Sequence, residues 1–227
     1  MKERFLAVGL IALALIGAAS AMPPADRGAL LDENSATFLD VVSIRDAVAA
    51  MPKADLNESE IEGILFMREE EKLARDAYWA FDDLYTLPVF DNIARAEETH
   101  MDSVKVLMDK YELDDNILEA GEFADPHLQV LYHDLVEEGS SSVEEALRAG
   151  AVIEETDIQD LLDRLAETDN EDIKMVYEAL MRGSRNHLRA FANNLERRGI
   201  DYTPQILSDE EYDAIFGSSV ERGPYQS

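Results

Sequence analysis

The sequence predicts an all-α fold of four long helices, with a long connection between the second and the third. Three observations predict it. Apolar residues recur at steps of three and four over segments longer than twenty residues, with no strand-like alternation and no internal repeat in competition. A polar residue followed three positions later by Glu, the pattern by which a side chain and a backbone amide cap each other at a helix start, occurs as Asn57 with Glu60, Ser142 with Glu145, Thr168 with Glu171 and Ser208 with Glu211. Pro and Gly fall between the periodic segments.

The elements follow in order. Met1-Lys2-Glu3-Arg4, the apolar run Phe5 to Ala18 and the small-x-small Ala19-Ser20-Ala21 read as a cleaved signal peptide over residues 1–21, so export is expected. The run is shorter than the ~20 residues of a spanning helix, so no stable membrane span is expected after cleavage. Residues 22–56 read as an N-terminal arm with a short helix from Val41 to Met51, before Pro52. The first long helix is expected from Glu58 to Tyr85 and the second from Val89 to Tyr111. The Thr86-Leu87-Pro88 break between them makes them antiparallel neighbours. A small helix from Pro126 to Glu138 sits within the long connection. The third long helix follows from Val143 to Ala166, and the fourth from Asn170 to Arg198 is stopped by Gly199. Residues 57–199 thus read as a four-helix bundle with a crossover connection between the second and third helices, a topology of the ferritin-like kind. Residues 200–227 form a tail with a short helix.

Composition narrows the chemistry. Of 227 residues, 49 are Asp or Glu, 20 are Lys or Arg and none is Cys, for a formal charge of −29. Such a charge repels phosphate backbones, so nucleic acid is excluded as a partner, and cations are attracted. The absence of Cys removes thiol nucleophiles, disulfides, iron–sulfur clusters and thiolate-held zinc, so any metal must use His and carboxylate. Loss of residues 1–21 removes Lys2, Arg4 and Glu3, a net +1, and leaves 206 residues at −30.

The inward stripes hold residues that a plain apolar core would not. The second helix presents Ile93, Glu97, His100, Val104, Leu107 and Tyr111 on one line, and the fourth presents Ile173, Tyr177, Leu180, Ser184, His187, Phe191 and Leu195. On the first helix Glu71 shares a line with Ile64, Arg68, Ala74 and Tyr78. Glu70, one step round with Met67 and Ala77, is the alternative, and Glu69 is expected in solvent. The third helix offers Glu154 on the Val143, Leu147, Gly150, Ile158, Leu161, Leu165 line, with Asp157 on the same face and Glu155 as the substitute. A buried carboxylate costs several kcal/mol unless it is paired, neutralised or bound to a cation. Two divalent metal ions side by side supply that need: carboxylates bridge and terminate, one imidazole serves each ion, and Glu97-x-x-His100 grips one ion from a single helix face. The rival is a set of buried, hydrogen-bonded polar residues without metal. His127 and His133 have no stripe partner and are expected at the surface. Ser184 with His187 lacks the third group and oxyanion hole of a nucleophilic site. Tyr78, Tyr111 and Tyr177 are expected to pack in the core.

MREEEKLARD from Met67 to Asp76, EETHMD from Glu97 to Asp102 and GSRNHLRAF from Gly183 to Phe191 resemble a microbial family of unknown function in the ferritin-like superfamily, distantly similar to rubrerythrin. The resemblance covers about Leu56 to Phe216. It implies Glu71 as the first-helix ligand, with Ala74 and Tyr78 in the same block, Glu97 and His100 as the second-helix pair, Glu154 on the third helix and His187 on the fourth. The fourth helix departs from the pattern, with Ser184 where a second Glu-x-x-His would begin. Four carboxylates and two histidines are restored if Asp157 compensates. The reading from sequence is therefore an exported protein with a carboxylate/histidine dimetal site at Glu71, Glu97, His100, Glu154, Asp157 and His187. Iron is the first choice of metal and manganese the second. Oxidase, peroxidase or ferroxidase chemistry on oxygen or peroxide is the leading function, with an external electron donor and a homodimer as the further partners. A non-catalytic metal-binding or interaction module with a structural polar core is the alternative.

Overall fold

A computed structural model describes residues 37–221. The expected signal peptide lies outside the described residues. Those residues form seven helices and no strand: α1 (Val41–Ala50), α2 (Glu58–Tyr85), α3 (Pro88–Tyr111), α4 (Pro126–Gly139), α5 (Val143–Glu167), α6 (Glu171–Glu196) and α7 (Asp209–Gly217).

The helix ends follow local chemistry. Asn57 and Glu60 close a reciprocal capping box at the start of α2, and Ser208 and Glu211 close one at α7. Thr86 and Glu112 end α2 and α3 in the left-handed conformation, φ 49° and 61°, and Pro88 fills the first turn of α3, where its missing N–H costs nothing. The Thr168–Glu171 box expected from the sequence does not form. Thr168 instead terminates α5, and Asn170 stands at the N-cap of α6 without a side-chain cap. The reason is tertiary: the Thr168 hydroxyl and Asn170 Nδ2 both donate to Glu60 on α2, at 2.6 and 2.7 Å, which ties the α5–α6 turn to the start of α2.

Packing is most extensive between α2 and α3 and between α5 and α6; α2 also lies on α5, and α3 on α6. α1 rests on α3 and α6, α4 on α2 and α5, and α7 on α6. The long connection is bolted to α2. Lys72, fully buried, donates to Asp76 at 2.7 Å and to the carbonyls of Glu119 and Glu122, with its ammonium over the Phe123 ring. Gly121 adopts φ 78° beside it and donates its N–H to Asp76. Glu69, expected in solvent, is half-buried and accepts the N–H groups of Ala124 and Asp125 at 2.7 and 2.9 Å. A carboxylate satisfies the unpaired donors ahead of α4 better than water does at a crowded edge.

Inside the four long helices Tyr78 packs on Phe191, Phe191 on Phe90 and Phe90 on Phe81, with ring centroids 5.1, 6.0 and 5.5 Å apart. Each buried aromatic ring contributes about 1.5–3 kcal/mol of transfer free energy, which helps offset the cost of the polar group above it. Among the described residues no helix is long and apolar enough to cross a membrane.

Candidate metal centre

The periodicity that folds the four long helices also turns their charged groups inward. Glu71 on α2, Glu97 and His100 on α3, Glu154 and Asp157 on α5, and His187 on α6 are all buried, none more than 5% exposed. Glu97 occupies the middle. Its Oε2 lies 2.8 Å from His100 Nδ1 and its Oε1 lies 2.9 Å from His187 Nδ1. Glu71 Oε2 approaches His100 Nδ1 at 3.2 Å, and Glu154 Oε1 approaches His187 Nδ1 at 3.6 Å. The two imidazoles stack with centroids 5.2 Å apart. Glu97, His100 and His187 each offer one ligand atom within 4.8 Å of the others.

These approaches are short, but most are not aligned as hydrogen bonds. Both oxygens of Glu97, Nδ1 of His187, Oε1 of Glu71, Oδ1 of Asp157 and Nε2 of His100 are buried without a hydrogen-bond partner. Native interiors rarely leave such groups unmatched. Oxygen and imidazole lone pairs that converge from several helices with most of them left unpaired fit a divalent cation, which is satisfied by the same lone pairs.

The electrostatics follow from burying several acids beside two imidazoles. Burial pushes Glu71 and Glu154 up to about 7, and pushes Asp157 well above the carboxylate range, with Glu71 adding repulsion. Burial also works to raise Glu97, but His187 and His100 outweigh it and hold this carboxyl well below its ordinary value. Burial disfavours a charged His187, yet Glu97 and Glu154 raise the ring to about 9. Tyr78 donates to Glu154 Oε1 at 2.6 Å, and burial next to that carboxylate holds its hydroxyl protonated.

The structure separates the alternatives that the helical period left open. Glu71, not Glu70, meets His100; Glu70 is buried with both oxygens unpaired on the side of Asp160, where burial and that neighbouring acid push its carboxyl up. Glu154, not Glu155, faces His187. Glu155 instead accepts the N–H groups of Gln205, Ile206 and Leu207 at 3.0, 2.8 and 2.9 Å and so anchors the tail. Asp157 takes a hydrogen bond from the Ser184 hydroxyl and stands beside the Glu97–His100–His187 group rather than within it. His127 and His133 are exposed. Tyr111 binds Asp172 away from the centre.

Two supporting residues escaped the sequence reading. A Cβ at Gly183 would lie 2.4 Å from His100 Cε1 and Nε2, so this glycine opens the seat for the ring. Glycine inside a helix costs about 1 kcal/mol against alanine, a signal that was available. Thr37 donates its main-chain N–H to His187 Nε2 at 3.1 Å, and no local pattern announces a contact across 150 residues.

The sequence profile of an uncharacterized protein domain, DUF2202, matches residues 60–219. The chain belongs to the DUF2202 family. The matched span contains every acid and imidazole of the centre, whereas Thr37 lies outside it. Among relatives, the uncharacterized protein MJ0754 of Methanocaldococcus jannaschii is 50% identical over 178 residues, 78% of this chain and 96% of that protein. The crystal structure of the hypothetical protein MJ0754 from Methanococcus jannaschii superposes with a TM-score of 0.74, covering 76% of this chain and 99% of that one. This DUF2202 chain thus shares its helical fold with a solved relative.

Proposed function

We propose that this protein binds divalent metal at the buried acid–imidazole group and that the four long helices form a ferritin-like four-helix bundle with α4 in its crossover connection. The observation that carries the reading is Glu97, a buried carboxylate with one oxygen toward each of two imidazoles and neither oxygen hydrogen-bonded. Glu71, Glu97 and His100 would hold one ion and Glu97, Glu154 and His187 a second, with Asp157 as the further carboxylate. Iron is the preferred metal and manganese the alternative, since hard carboxylates with one imidazole each suit both. A redox-active pair would supply oxidase, peroxidase or ferroxidase chemistry on oxygen or peroxide, with reducing equivalents from an external donor because the chain has no Cys.

The chain's own residues have definable parts. Glu97 holds negative charge between the imidazoles. Tyr78 orients Glu154 and itself packs on the Phe191 ring. The second reading, a structural polar core, is favoured by the bonds from Tyr78 to Glu154 and between His100 Nδ1 and Glu71, which satisfy part of the group internally.

Metal analysis of the purified protein, followed by turnover with peroxide or ferrous iron, separates the two. Bound metal with turnover supports the redox centre, whereas bound metal without turnover supports a non-catalytic metal module. Metal-free protein that takes up neither iron nor manganese rejects both in favour of the polar core. Export is part of the proposal: the mature chain should begin near Met22 by mass spectrometry, and an intact Met1 terminus on envelope-associated protein would refute cleavage.

A further inference from the structure

A second pair of acids lies beside the centre and takes no part in it. Glu70, 3% exposed, turns from the Glu71 face of α2 toward Asp160 on α5, and neither of its oxygens has a hydrogen-bond partner. Asp160 comes within hydrogen-bonding reach of Glu70 and is only half-buried, so it meets solvent at the edge of the α2–α5 contact. Along α5 one face carries Glu154, Asp157 and Asp160 at steps of three, from the imidazoles outward. Asp157, the middle member, also has an unpaired oxygen, Oδ1. The acids therefore lead from solvent to the centre in the order Asp160, Glu70, Asp157.

Arg164, the cation beside Asp160, does not close this pair. Its guanidinium lies over the Phe66 ring, its Nε is unpaired, and a Cβ at Gly63 would stand 3.2 Å from both its Nη1 and the Tyr177 hydroxyl, so the group is directed toward the start of α2. Two carboxylates side by side repel unless a proton or a cation lies between them. A shared proton joins one oxygen of each acid and leaves the second Glu70 oxygen and Asp157 Oδ1 buried without partners. A hard divalent ion takes about six oxygens, fills its remaining positions with water and satisfies these lone pairs together. The formal charge of −29 concentrates such ions at the surface.

We propose that Glu70 and Asp160 form an outer site for a hard divalent cation, separate from the acid–imidazole group, that takes the ion from solvent and passes it inward by way of Asp157. Carboxylate and water alone hold the ion there, so it binds more weakly than one gripped by imidazole as well. Asp157 is built for the transfer, since its Oδ2 is held by the Ser184 hydroxyl while its Oδ1 remains to receive the ion. The transfer rests on the metal reading above.

Co²⁺ is the probe, because it absorbs visible light when imidazole and carboxylate hold it and only faintly when oxygen alone does. Equilibrium dialysis counts every ion bound, and absorption counts those in the centre. Wild-type protein should bind at saturation one Co²⁺ more than the absorption accounts for. Glu70→Gln with Asp160→Asn, neutral changes that keep side-chain size, should lose that ion and reach the same final absorption. In stopped flow this variant should load the centre at least about tenfold more slowly, the low end of what a charged approach gains. Glu62→Gln with Asp163→Asn removes the same charge from exposed positions on α2 and α5 and should match wild type. Loading of the Glu70/Asp160 variant at the wild-type rate, an unchanged ion count, or equal slowing in the surface variant would overturn the outer site and leave the metal reading standing. Loss of the final absorption in the Glu70/Asp160 variant would make these acids part of the centre itself, which also overturns a separate site. Wild-type protein that never shows the absorption would instead overturn the metal reading and, with it, the transfer.

Discussion

The α2–α3 and α5–α6 pairs bring comparable groups to the centre but solve the same problem differently. α2 contributes Glu71 and α5 contributes Glu154, each beside the imidazole of its own pair, His100 or His187. α3 places a carboxylate one turn before its histidine, Glu97. α6 places Ser184 there, and the extra acid of that pair comes from α5 as Asp157, held by the Ser184 hydroxyl. On the other side the position three residues after Glu71 is Ala74, which needs no partner. The position where α6 lacks a carboxylate thus faces one on the neighbouring helix. The comparison teaches that such a centre is specified by the volume and charge that several helices deliver together, and not by a motif on each.

Glu97→Gln breaks the comparison most severely, because both pairs lean on this one carboxylate. It should reduce bound metal to less than roughly a tenth, as should His100→Ala or His187→Ala, while His127→Ala and His133→Ala leave it unchanged. In metal-free protein, removing one partner from this buried charged group costs on the order of 3–5 kcal/mol, read as a lowered Tm. Full metal content in Glu97→Gln would show that the shared carboxylate is no ligand.

Moving the acid back is the sharper experiment. Ser184→Glu with Asp157→Ala restores to α6 the arrangement of α3 and should retain metal. Ser184→Glu alone sets two acids side by side, so its metal-free form should lose several kcal/mol, recovered on metal loading. Equal stability of the single and double variants, with and without metal, would mean that Asp157 and Ser184 do not form a unit.

Gly183→Ala tests how α6 accommodates the α3 histidine. Helix propensity alone predicts a gain of about 1 kcal/mol, whereas the 2.4 Å approach to His100 predicts a loss of about 1–3 kcal/mol and weaker metal binding. The sign of the change in Tm decides between them.

The smallest expected effect is pH dependence. Glu71 and Glu154 are raised from 4.5 to about 7, and His187 from 6.5 to about 9, so each binds its proton more tightly in the folded state. Their stabilisation is complete below the unfolded values and is lost as pH rises through the folded ones. Glu97 has the opposite sign, and its contribution is lost as pH falls below the ordinary carboxylate range. Metal-free protein should therefore melt highest near pH 4.5, where the rising contribution of Glu97 meets the falling ones of Glu71 and Glu154, and progressively lower toward pH 9. Bound metal should flatten that decline by holding the ligands deprotonated. A metal-free Tm that is constant from pH 5 to 9 would show that the centre stores no protons.

The sequence by itself determined the helices and the depth of the charged groups. A 3.6-residue period is local, so Glu97, His100 and His187 could be placed inward from their own helices, as could Tyr78. Helix starts at Asn57 and Ser208 were equally legible, because a capping box is closed within four residues. What a single helix leaves undetermined is rotation by a fraction of a turn, which is why Glu70 and Glu71, or Glu154 and Glu155, were interchangeable until α2 and α5 had neighbours. Tertiary structure assigned Glu71 and Glu154 to the imidazoles and gave Glu155 to the tail, whose amides reach it from fifty residues away. It also turned Thr168 from a cap into a tie on Glu60, seated His100 against Gly183, and brought Thr37 to His187. Each of these depends on the distance between segments remote in sequence, and that distance is set only when the helices pack.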